Sequence, residues 1–248
     1  MRTAIIIPAR LAATRLPNKP LALLGDKPVV VRTLAQAQKC LHVDVVAVAT
    51  DSEAIAAAVR AHGGMAVMTA AHHTCGTERV AEAAQALDVD LVVNLQGDEP
   101  FIDPRDLDTV IAGLRSRDVE MATLSAPITE LADFLNPNVV KVVTRSDDTA
   151  LYFSRAPIPY ERAQTGSLDN ARRHVGVYGY RRSALKTLAA APPHPLEKRE
   201  SLEQLRALAM GMRILVLPAV AVTRGIDTPE DLTWAQARFA LAGEAAFP

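Results

Sequence analysis

The sequence lacks the features that mark several large classes of protein. Its 248 residues include only two cysteines, Cys40 and Cys75, which excludes a disulfide framework and a Cys-x-x-Cys metal site. No apolar run approaches the roughly 18 residues that a membrane-spanning helix needs, and the N-terminus shows no cleavage signal. A formal net charge of -1 argues against a partner such as nucleic acid or an anionic membrane. We therefore expect a globular, cytoplasmic protein.

Familiar catalytic fingerprints are also missing. The sequence has no Gly-x-Gly-x-x-Gly motif after its first strand-like run, no Gly-x-x-x-x-Gly-Lys-Ser/Thr phosphate loop and no Gly-x-Ser-x-Gly nucleophile turn. These absences argue against a nicotinamide oxidoreductase, a P-loop enzyme and a serine hydrolase. Any anion site must therefore come from local clusters of charge.

The arrangement of apolar runs predicts the fold class. In the first half of the chain, short β-branched runs alternate with helical patterns, which is the rhythm of a parallel sheet covered by helices. The run over 43–49 is apolar almost throughout, as expected of a strand with both faces buried. We predict a doubly wound α/β core with a mostly parallel sheet.

The alternation of strand-like and helical patterns breaks over 131–180 into short strand-like pieces. These predict a small β-rich insertion lobe within a single domain of residues 1–248.

The first anion-binding candidate is the loop "IPARLAATRLPNKPL" at 7–21, which carries Arg10, Arg15 and Lys19. It follows the first predicted strand, and ligands of open α/β sheets bind beyond the carboxyl ends of strands. The cations could wrap a polyphosphate, because guanidinium groups bind oxygens in pairs and lysine acts as a mobile point charge. The alternative is a set of solvated surface cations.

Two acidic stretches follow later strands. "NLQGDEP" at 94–100 places Asp98 after an apolar run, where a carboxylate could bind Mg²⁺ or simply favour the next helix N-terminus. "RGIDTPEDL" at 224–232 places Asp227 before a predicted helix start, at which Thr228 is the expected cap. The two aspartates could share a metal, although their spacing alone does not bring them together.

Other polar stretches are weaker signals. "HHTCGTERVAE" at 72–82 places Gly76 and Thr77 at a predicted helix N-terminus that could face a ligand, and its adjacent histidines are interpreted as loop residues. Further along are candidates for binding a polyhydroxy acid, each of which could instead be a core or surface residue. They are Arg155, His174, Tyr178, Glu203 and Gln204.

Together these stretches resemble the 3-deoxy-manno-octulosonate cytidylyltransferase (CMP-Kdo synthetase) family over nearly the whole chain. The resemblance rests on "IPARLAATRLPNKPL", "GTER", "NLQGDEPFIDP", "NPNVVKVV", "ALYFSRAPIPY", "HVGVYGYR", "ESLEQLR" and "GIDTPEDL", in that order. The longer stretches "ALYFSRAPIPY" and "HVGVYGYR" are the most discriminating, because the first loop and the "QGDEP" motif recur in looser form among other sugar nucleotidyltransferases.

The resemblance implies a nucleotide-diphospho-sugar transferase-like fold and a Mg²⁺-dependent homodimer that transfers CMP from CTP to the sugar acid Kdo for lipopolysaccharide biosynthesis. It also implies site roles. Arg10, Arg15 and Lys19 would hold the triphosphate; Cys75, Arg79 and Gln96 would lie by the cytosine; Asp98 and Asp227 would bind Mg²⁺; Arg155, His174, Tyr178, Glu203 and Gln204 would line the Kdo pocket. Catalysis would rest on Arg10, Lys19, Asp98 and Asp227. The 131–180 region would contribute to the Kdo pocket and the dimer interface.

The sequence departs from the family pattern at four positions. Ala13 stands where serine is common and Asn18 where the loop usually has glycine. "CGTER" replaces "SGTDR", so Cys75 stands in place of serine and Glu78 in place of aspartate. The thiol of Cys75 is a weaker hydrogen-bond donor than a hydroxyl, which affects the expected selectivity for CTP over UTP.

Two alternative functions stay open. One is the same transfer reaction on 8-amino Kdo or a neuraminate, and the other is a noncatalytic nucleotide-binding protein.

Overall fold

The computed structural model describes residues 1–11, 16–163 and 166–248. Its strands are β1 (Thr3–Ala9), β2 (Leu23–Leu24), β3 (Lys27–Pro28), β4 (Val45–Thr50), β5 (Met65–Met68), β6 (Leu91–Asn94), β7 (Met121–Pro127), β8 (Lys141–Thr144), β9 (Ala150–Ser154), β10 (Arg172–Arg181) and β11 (Ile214–Pro218). Its α-helices are α1 (Val29–Ala37), α2 (Glu53–Ala61), α3 (Gly76–Gln85), α4 (Pro104–Ser116), α5 (Leu131–Leu135), α6 (Arg182–Ala190), α7 (Pro195–Glu200), α8 (Gln204–Ala209) and α9 (Pro229–Ala242). Short 3-10 helices span Lys19–Leu21 and Gly243–Ala246. In the described ranges, no helix combines the length and apolar character needed to cross a membrane.

The centre of the molecule is a mostly parallel sheet. Its main strand order is β11-β7-β10-β6-β1-β4-β5. Strand β1 is parallel to β4 and to β6, β4 is parallel to β5, and β7 is parallel to β11. The prediction of an α/β fold with a mostly parallel sheet is therefore confirmed.

Helices cover both faces of the sheet. Ile5 and Ile7 of β1 pack in one apolar cluster with side chains of α1, α2 and α4, whereas Ala4 and Ile6 pack in a second cluster with α3, α6 and α8. Successive strand residues point to opposite faces, so β1 is apolar at each of these positions because both faces are buried. This is the doubly wound arrangement expected from the sequence.

The 131–180 region is more closely joined to the core than predicted. Strands β8 and β9 form an antiparallel pair, and β8 contacts β10. Strand β10 lies antiparallel between β6 and β7 in the main sheet. A separate insertion lobe is therefore not confirmed, and the role predicted for this region in the Kdo pocket and the dimer interface stays a prediction.

The parallel strands bring two of the predicted loops to one edge of the sheet. Strand β1 ends at Ala9 and its neighbour β6 ends at Asn94, so the loops after them lie side by side. The approach is close at Gly97, where an added Cβ would lie 3.0 Å from the Pro8 carbonyl oxygen. Glycine at this position lets the "QGDEP" loop pack against the end of β1.

Candidate active site

A cavity of about 310 Å³ lies at this edge of the sheet. It collects seven of the predicted site residues, namely Arg10, Lys19, Cys75, Arg79, Gln96, Asp98 and Asp227. Arg15, and Ala13 beside it, lie outside the described residues. Loops that are far apart in the chain thus meet at a single concave surface, and the structure brings Asp98 and Asp227 together where their spacing in the sequence did not show it.

Lys19 lies between the two predicted metal-binding aspartates. Its Nζ donates to Oδ2 of Asp98 and, at 2.9 Å, to Oδ1 of Asp227. Burial alone would lower the pKa of Lys19, but the two carboxylates outweigh it and raise the pKa above its usual value. Asn18 precedes the lysine with a φ of 56°, a left-handed conformation that asparagine tolerates. The ammonium is therefore held charged at the cavity wall.

Asp98 and Asp227 also form a plausible donor set for Mg²⁺. Both carboxylates reach the same Lys19 nitrogen, so they converge on one cationic position, and the Ile226 amide donates to the Asp98 carbonyl at 2.9 Å. Carboxylate oxygens are the ligands that Mg²⁺ prefers, with water and substrate phosphates completing its shell. Among the described residues there is no group of three or more His, Cys, Asp or Glu side chains suited to a metal. The residues present fit an ion that also binds substrate oxygens.

The N-terminus of α3 forms another wall. Cys75 and Gly76 line the cavity where the helix begins. Burial and the neighbouring Glu203 carboxylate raise the pKa of Cys75 to about 12, so its thiol stays protonated. His73 also lines the cavity, and its Nε2 is hydrogen-bonded to Glu82. The sequence predicts His73 to be a loop residue, and an adjacent pair of histidines gives no sign that one of them borders the cavity.

Two side-chain contacts hold Arg79 in place at the cavity wall. It is 3% exposed, forms an ion pair with Asp51 at 3.2 Å and donates to Thr69 Oγ1 at 2.5 Å. Gln96 Nε2 lies 3.4 Å from Asn94 Oδ1. These contacts hold a guanidinium and an amide at the wall to which the family resemblance assigns the base.

The predicted acceptor residues His174 and Tyr178 share strand β10. Their ring centroids lie 5.2 Å apart, and Tyr178 is directly opposite Asn94 at the end of β6. His174 Nε2 lies 3.0 Å from Thr123 Oγ1. Burial lowers the pKa of His174 to about 3 and raises that of Tyr178, so both side chains are neutral at pH 7.

Glu203 and Gln204 begin α8 and carry polar atoms without hydrogen-bond partners. Glu203 Oε2 accepts from Thr77 Oγ1, whereas Glu203 Oε1 and Gln204 Nε2 are buried and find no hydrogen-bond partner in the described part of the chain. Buried polar groups are nearly always hydrogen-bonded in native proteins. An acceptor oxygen and an amide donor with this unmet capacity suit a ligand rich in hydroxyl groups.

Arg155 is placed differently from the other acceptor candidates. Its guanidinium donates to the backbone carbonyls of Glu200 at 2.6 Å, Pro137 at 2.9 Å and Ser201 at 3.4 Å. Three of its donors are thus engaged by the chain itself. Like His174, Tyr178, Glu203 and Gln204, Arg155 is not among the described residues that line the cavity, and a direct contact with a sugar acid stays a prediction.

Comparison with known proteins gives a consistent assignment. Residues 4–214 match the family model described as cytidylyltransferase. The chain is 50% identical to a 3-deoxy-manno-octulosonate cytidylyltransferase of Rhodopseudomonas palustris strain HaA2, with 98% of each chain covered. It is 46% identical to one from Geobacter metallireducens, over 94% of this chain and 95% of the relative.

Solved structures agree with the sequence relatives. A CMP:2-keto-3-deoxy-manno-octonic acid synthetase complexed with CTP superimposes with a TM-score of 0.92 at 40% identity, over 97% of this chain and 99% of that one. A 4-diphosphocytidyl-2C-methyl-D-erythritol synthase from Anaerococcus prevotii has a TM-score of 0.66 at 15% identity, over 96% of this chain and 98% of that one. The second likeness shows the shared fold alone.

Proposed function

The chain belongs to the cytidylyltransferase family, among the 3-deoxy-manno-octulosonate cytidylyltransferases, and we propose that the cavity at the sheet edge is where it carries out their reaction. It transfers CMP from CTP to Kdo, releases pyrophosphate and serves lipopolysaccharide biosynthesis. The observation that carries the assignment of the cavity is the meeting of Lys19, Asp98 and Asp227 at its wall.

The reaction joins two anions, and the basic residues reduce the resulting repulsion. A sugar hydroxyl must approach the α-phosphorus of CTP in line with the departing pyrophosphate, while the sugar acid carries its own carboxylate. At 4 Å and an effective dielectric near 20, each pair of unit charges costs about 4 kcal/mol. Arg10 and Lys19 lie at the cavity wall, where they can bind and orient the triphosphate. We also assign Arg15 to this role from the family resemblance.

Asp98 and Asp227 would hold Mg²⁺. Bound there, Mg²⁺ would supply positive charge to the phosphate oxygens as a Lewis acid. In the structure Lys19 lies between the two carboxylates. We expect its ammonium to turn toward the triphosphate once a metal takes up the charge of the aspartates, because lysine has a long flexible stem.

Other residues of the cavity wall are assigned to the base, and described residues outside that wall are assigned to the acceptor. Cys75, Arg79 and Gln96 are assigned to the cytosine, where a neutral thiol, a fixed guanidinium and an amide offer donors to its oxygen and nitrogen. His174, Tyr178, Glu203 and Gln204 are assigned to Kdo. Glu203 Oε1 can accept from a sugar hydroxyl and Gln204 Nε2 can donate to a sugar oxygen, which would satisfy both buried atoms.

Pyrophosphate release tests this function. Purified protein is incubated with Mg²⁺ and Kdo and with either CTP or UTP, and Kdo is omitted as a control. We expect release that requires both Kdo and CTP. Release with 8-amino Kdo or a neuraminate but not with Kdo would contradict the acceptor, and equal release from UTP would show that Cys75 does not support selection of cytosine.

The Mg²⁺ assignment has its own test. Asp98→Asn keeps the shape of the side chain but removes a charge that would bind the metal. We expect turnover to fall by at least about a hundredfold and to recover in part at higher Mg²⁺, because one ligand is weakened. Asp88→Asn, on an exposed loop carboxylate, is the matched control. Wild-type activity in Asp98→Asn would contradict the metal site.

We further propose that the protein works in the cytoplasm as a homodimer. Free thiols at Cys40 and Cys75 suit a reducing compartment. Four large apolar side chains between residues 131 and 160 are at least half exposed: Leu131, Leu135, Leu151 and Tyr160. Such a concentration of exposed apolar residues favours an interface with a second copy.

A further inference from the structure

One hydrogen bond joins the nucleotide side of the cavity to the residues assigned to the acceptor. Thr77 Oγ1 donates to Glu203 Oε2 across 126 positions in the chain. Thr77 is the second residue of α3, directly after Cys75 and Gly76 at the cavity wall. Glu203 immediately precedes Gln204, the first residue of α8. This hydrogen bond links the segment assigned to cytosine with the segment assigned to the sugar acid, and the Glu203 carboxylate also lies close enough to Cys75 to raise the pKa of its thiol.

The contact is partly buried, and Thr77 is its buried end. Thr77 is 3% exposed, so water does not compete readily for its hydroxyl. Tyr180 in β10 lies near the same groups: burial and the Glu203 carboxylate raise its pKa, and the side chains of Thr77 and Asn94 act in the opposite direction. Asn94 ends β6, two residues before Gln96 at the cavity wall. Thr77 therefore lies between the end of the central sheet and Glu203.

The hydrogen bond also determines what Glu203 can offer to a ligand. Thr77 donates to Oε2, and the other carboxylate oxygen, Oε1, has no hydrogen-bond partner among the described residues. The Arg206 guanidinium forms a long ion pair with this oxygen, and its Nη2 lies 3.9 Å from Oε1, beyond hydrogen-bond distance. Without the hydroxyl of Thr77, the carboxylate would lose the hydrogen bond that fixes the orientation of its Oε2.

We infer that Thr77 is a positioning residue that orients Glu203 for the sugar acid and couples binding of the acceptor to binding of the nucleotide. The inference rests on the proposed function, because it takes Glu203 as an acceptor ligand and the start of α3 as a nucleotide wall. A nucleotide bound against Cys75 and Gly76 fixes the first turn of α3, which carries Thr77. Thr77 in turn orients Glu203 through its hydrogen bond. By linkage, a bound sugar acid favours nucleotide binding to the same extent.

Substitution of Thr77 separates the two substrates. Thr77→Val keeps the branched shape and removes the hydroxyl, and Thr77→Ser keeps the hydroxyl. We expect Thr77→Val to raise KM for Kdo by about tenfold or more, as loss of a hydrogen bond to a charged acceptor implies, with the Kd of CTP measured without Kdo changing by less than about twofold. Thr77→Ser is expected to stay within about threefold of wild type for KM of Kdo.

The coupling is measured by titrating Kdo with and without CDP, which carries the cytidine and cannot release pyrophosphate. The wild type is expected to bind Kdo more tightly when CDP is present, and Thr77→Val to lose most of that gain. Thr149→Val is the matched control, because Thr149 is 1% exposed and donates to Asp147 Oδ1 at 2.6 Å in another part of the fold. It should lower the melting temperature and leave KM for Kdo unchanged.

Several outcomes would overturn the inference. The first is an unchanged KM for Kdo in Thr77→Val, and the second is a KM for Kdo that rises as much in Thr77→Ser as in Thr77→Val. The third is a loss of CTP affinity in Thr77→Val that matches the rise in KM for Kdo. The fourth is a wild type that binds Kdo equally tightly with and without CDP. If Thr77→Val does not fold, Thr77→Ala removes the hydroxyl with less bulk and is judged by the same criteria. Failure of the proposed function would instead be seen in the wild type, as no pyrophosphate release with Kdo and CTP.

Discussion

At the scale of single residues, Lys19 and Arg10 should matter more for binding CTP than for folding. Lys19→Ala would leave the Asp98 and Asp227 carboxylates facing each other without their shared ammonium, which disfavours an incoming triphosphate. We expect Lys19→Ala and Arg10→Ala each to weaken CTP binding by more than about tenfold, while the free energy of unfolding falls by less than about 1 kcal/mol. Calorimetric titration with CTP and urea denaturation measure the two effects. Lys186→Ala, on the exposed face of α6, is the control. Unchanged CTP affinity in both variants would contradict the role of the loop.

His174 should make stability depend on pH. Burial lowers its pKa from 6.5 to about 3, so between these values the unfolded chain binds a proton that the folded chain does not. Stability contributed by the neutral ring is complete above pH 6.5 and is lost as the pH falls. Relative to His174→Gln, wild type should lose about 1 kcal/mol of unfolding free energy per pH unit between pH 6 and pH 4.

Urea denaturation at pH 7, 6, 5 and 4 gives this comparison, because the difference between the two proteins removes the contribution of shared carboxylates. His62→Gln, at the exposed end of α2, is the matched control. Equal pH slopes for wild type and His174→Gln would show that the imidazole is not protected from protonation in the folded protein.

At the scale of secondary-structure elements, helix α9 begins with the cap that the sequence predicted. Thr228 accepts from the Asp231 amide at 3.2 Å, and the Asp231 carboxylate accepts from the Thr228 amide at 3.0 Å. The same carboxylate accepts from the Asp227 amide at 3.1 Å, so the cap also fixes the residue assigned to Mg²⁺.

Thr228→Ala should therefore affect both stability and metal dependence. We expect a loss of about 1 kcal/mol in the free energy of unfolding, the usual value of an N-cap, and a higher Mg²⁺ concentration for half-maximal activity. Thr233→Ala, in the middle of the same helix, serves as the control, since its hydroxyl bonds only to the Pro229 carbonyl within the helix. A loss of stability with unchanged Mg²⁺ dependence would show that the cap does not influence the metal site.

Local features of the fold could be predicted from the sequence, whereas the packing of distant elements could not. The cap at Thr228, the left-handed Asn18 and the doubly buried β1 follow from residue type and apolar pattern, which act locally. The place of β10 between β6 and β7 does not, because an apolar pattern marks a strand without naming its neighbours. For the same reason the contact between Thr77 and Glu203 could not be foreseen, since it depends on how distant elements pack.

At the scale of the whole molecule, the candidate active site lies at the sheet edge, and the 131–160 region carries several exposed apolar side chains. Helix α5 buries none of its residues, and Leu131 and Leu135 are 53% and 57% exposed. Residues four apart lie on the same face of a helix, so these leucines form one apolar strip. A second copy that covered the strip would remove it from water, at about 25 cal/mol for each Å² buried.

The proposed homodimer predicts a change of mass on mutation of that strip. Sedimentation equilibrium of the wild type at micromolar concentration should give twice the mass of the chain, and the double variant Leu131→Glu, Leu135→Glu should give the mass of one chain, because like charges would face each other across the interface. Leu41→Glu is the matched control, since Leu41 is 85% exposed on a loop outside the 131–160 region, and it should remain dimeric. A monomeric wild type would contradict the homodimer, whereas a dimeric double variant would place the interface elsewhere on the surface.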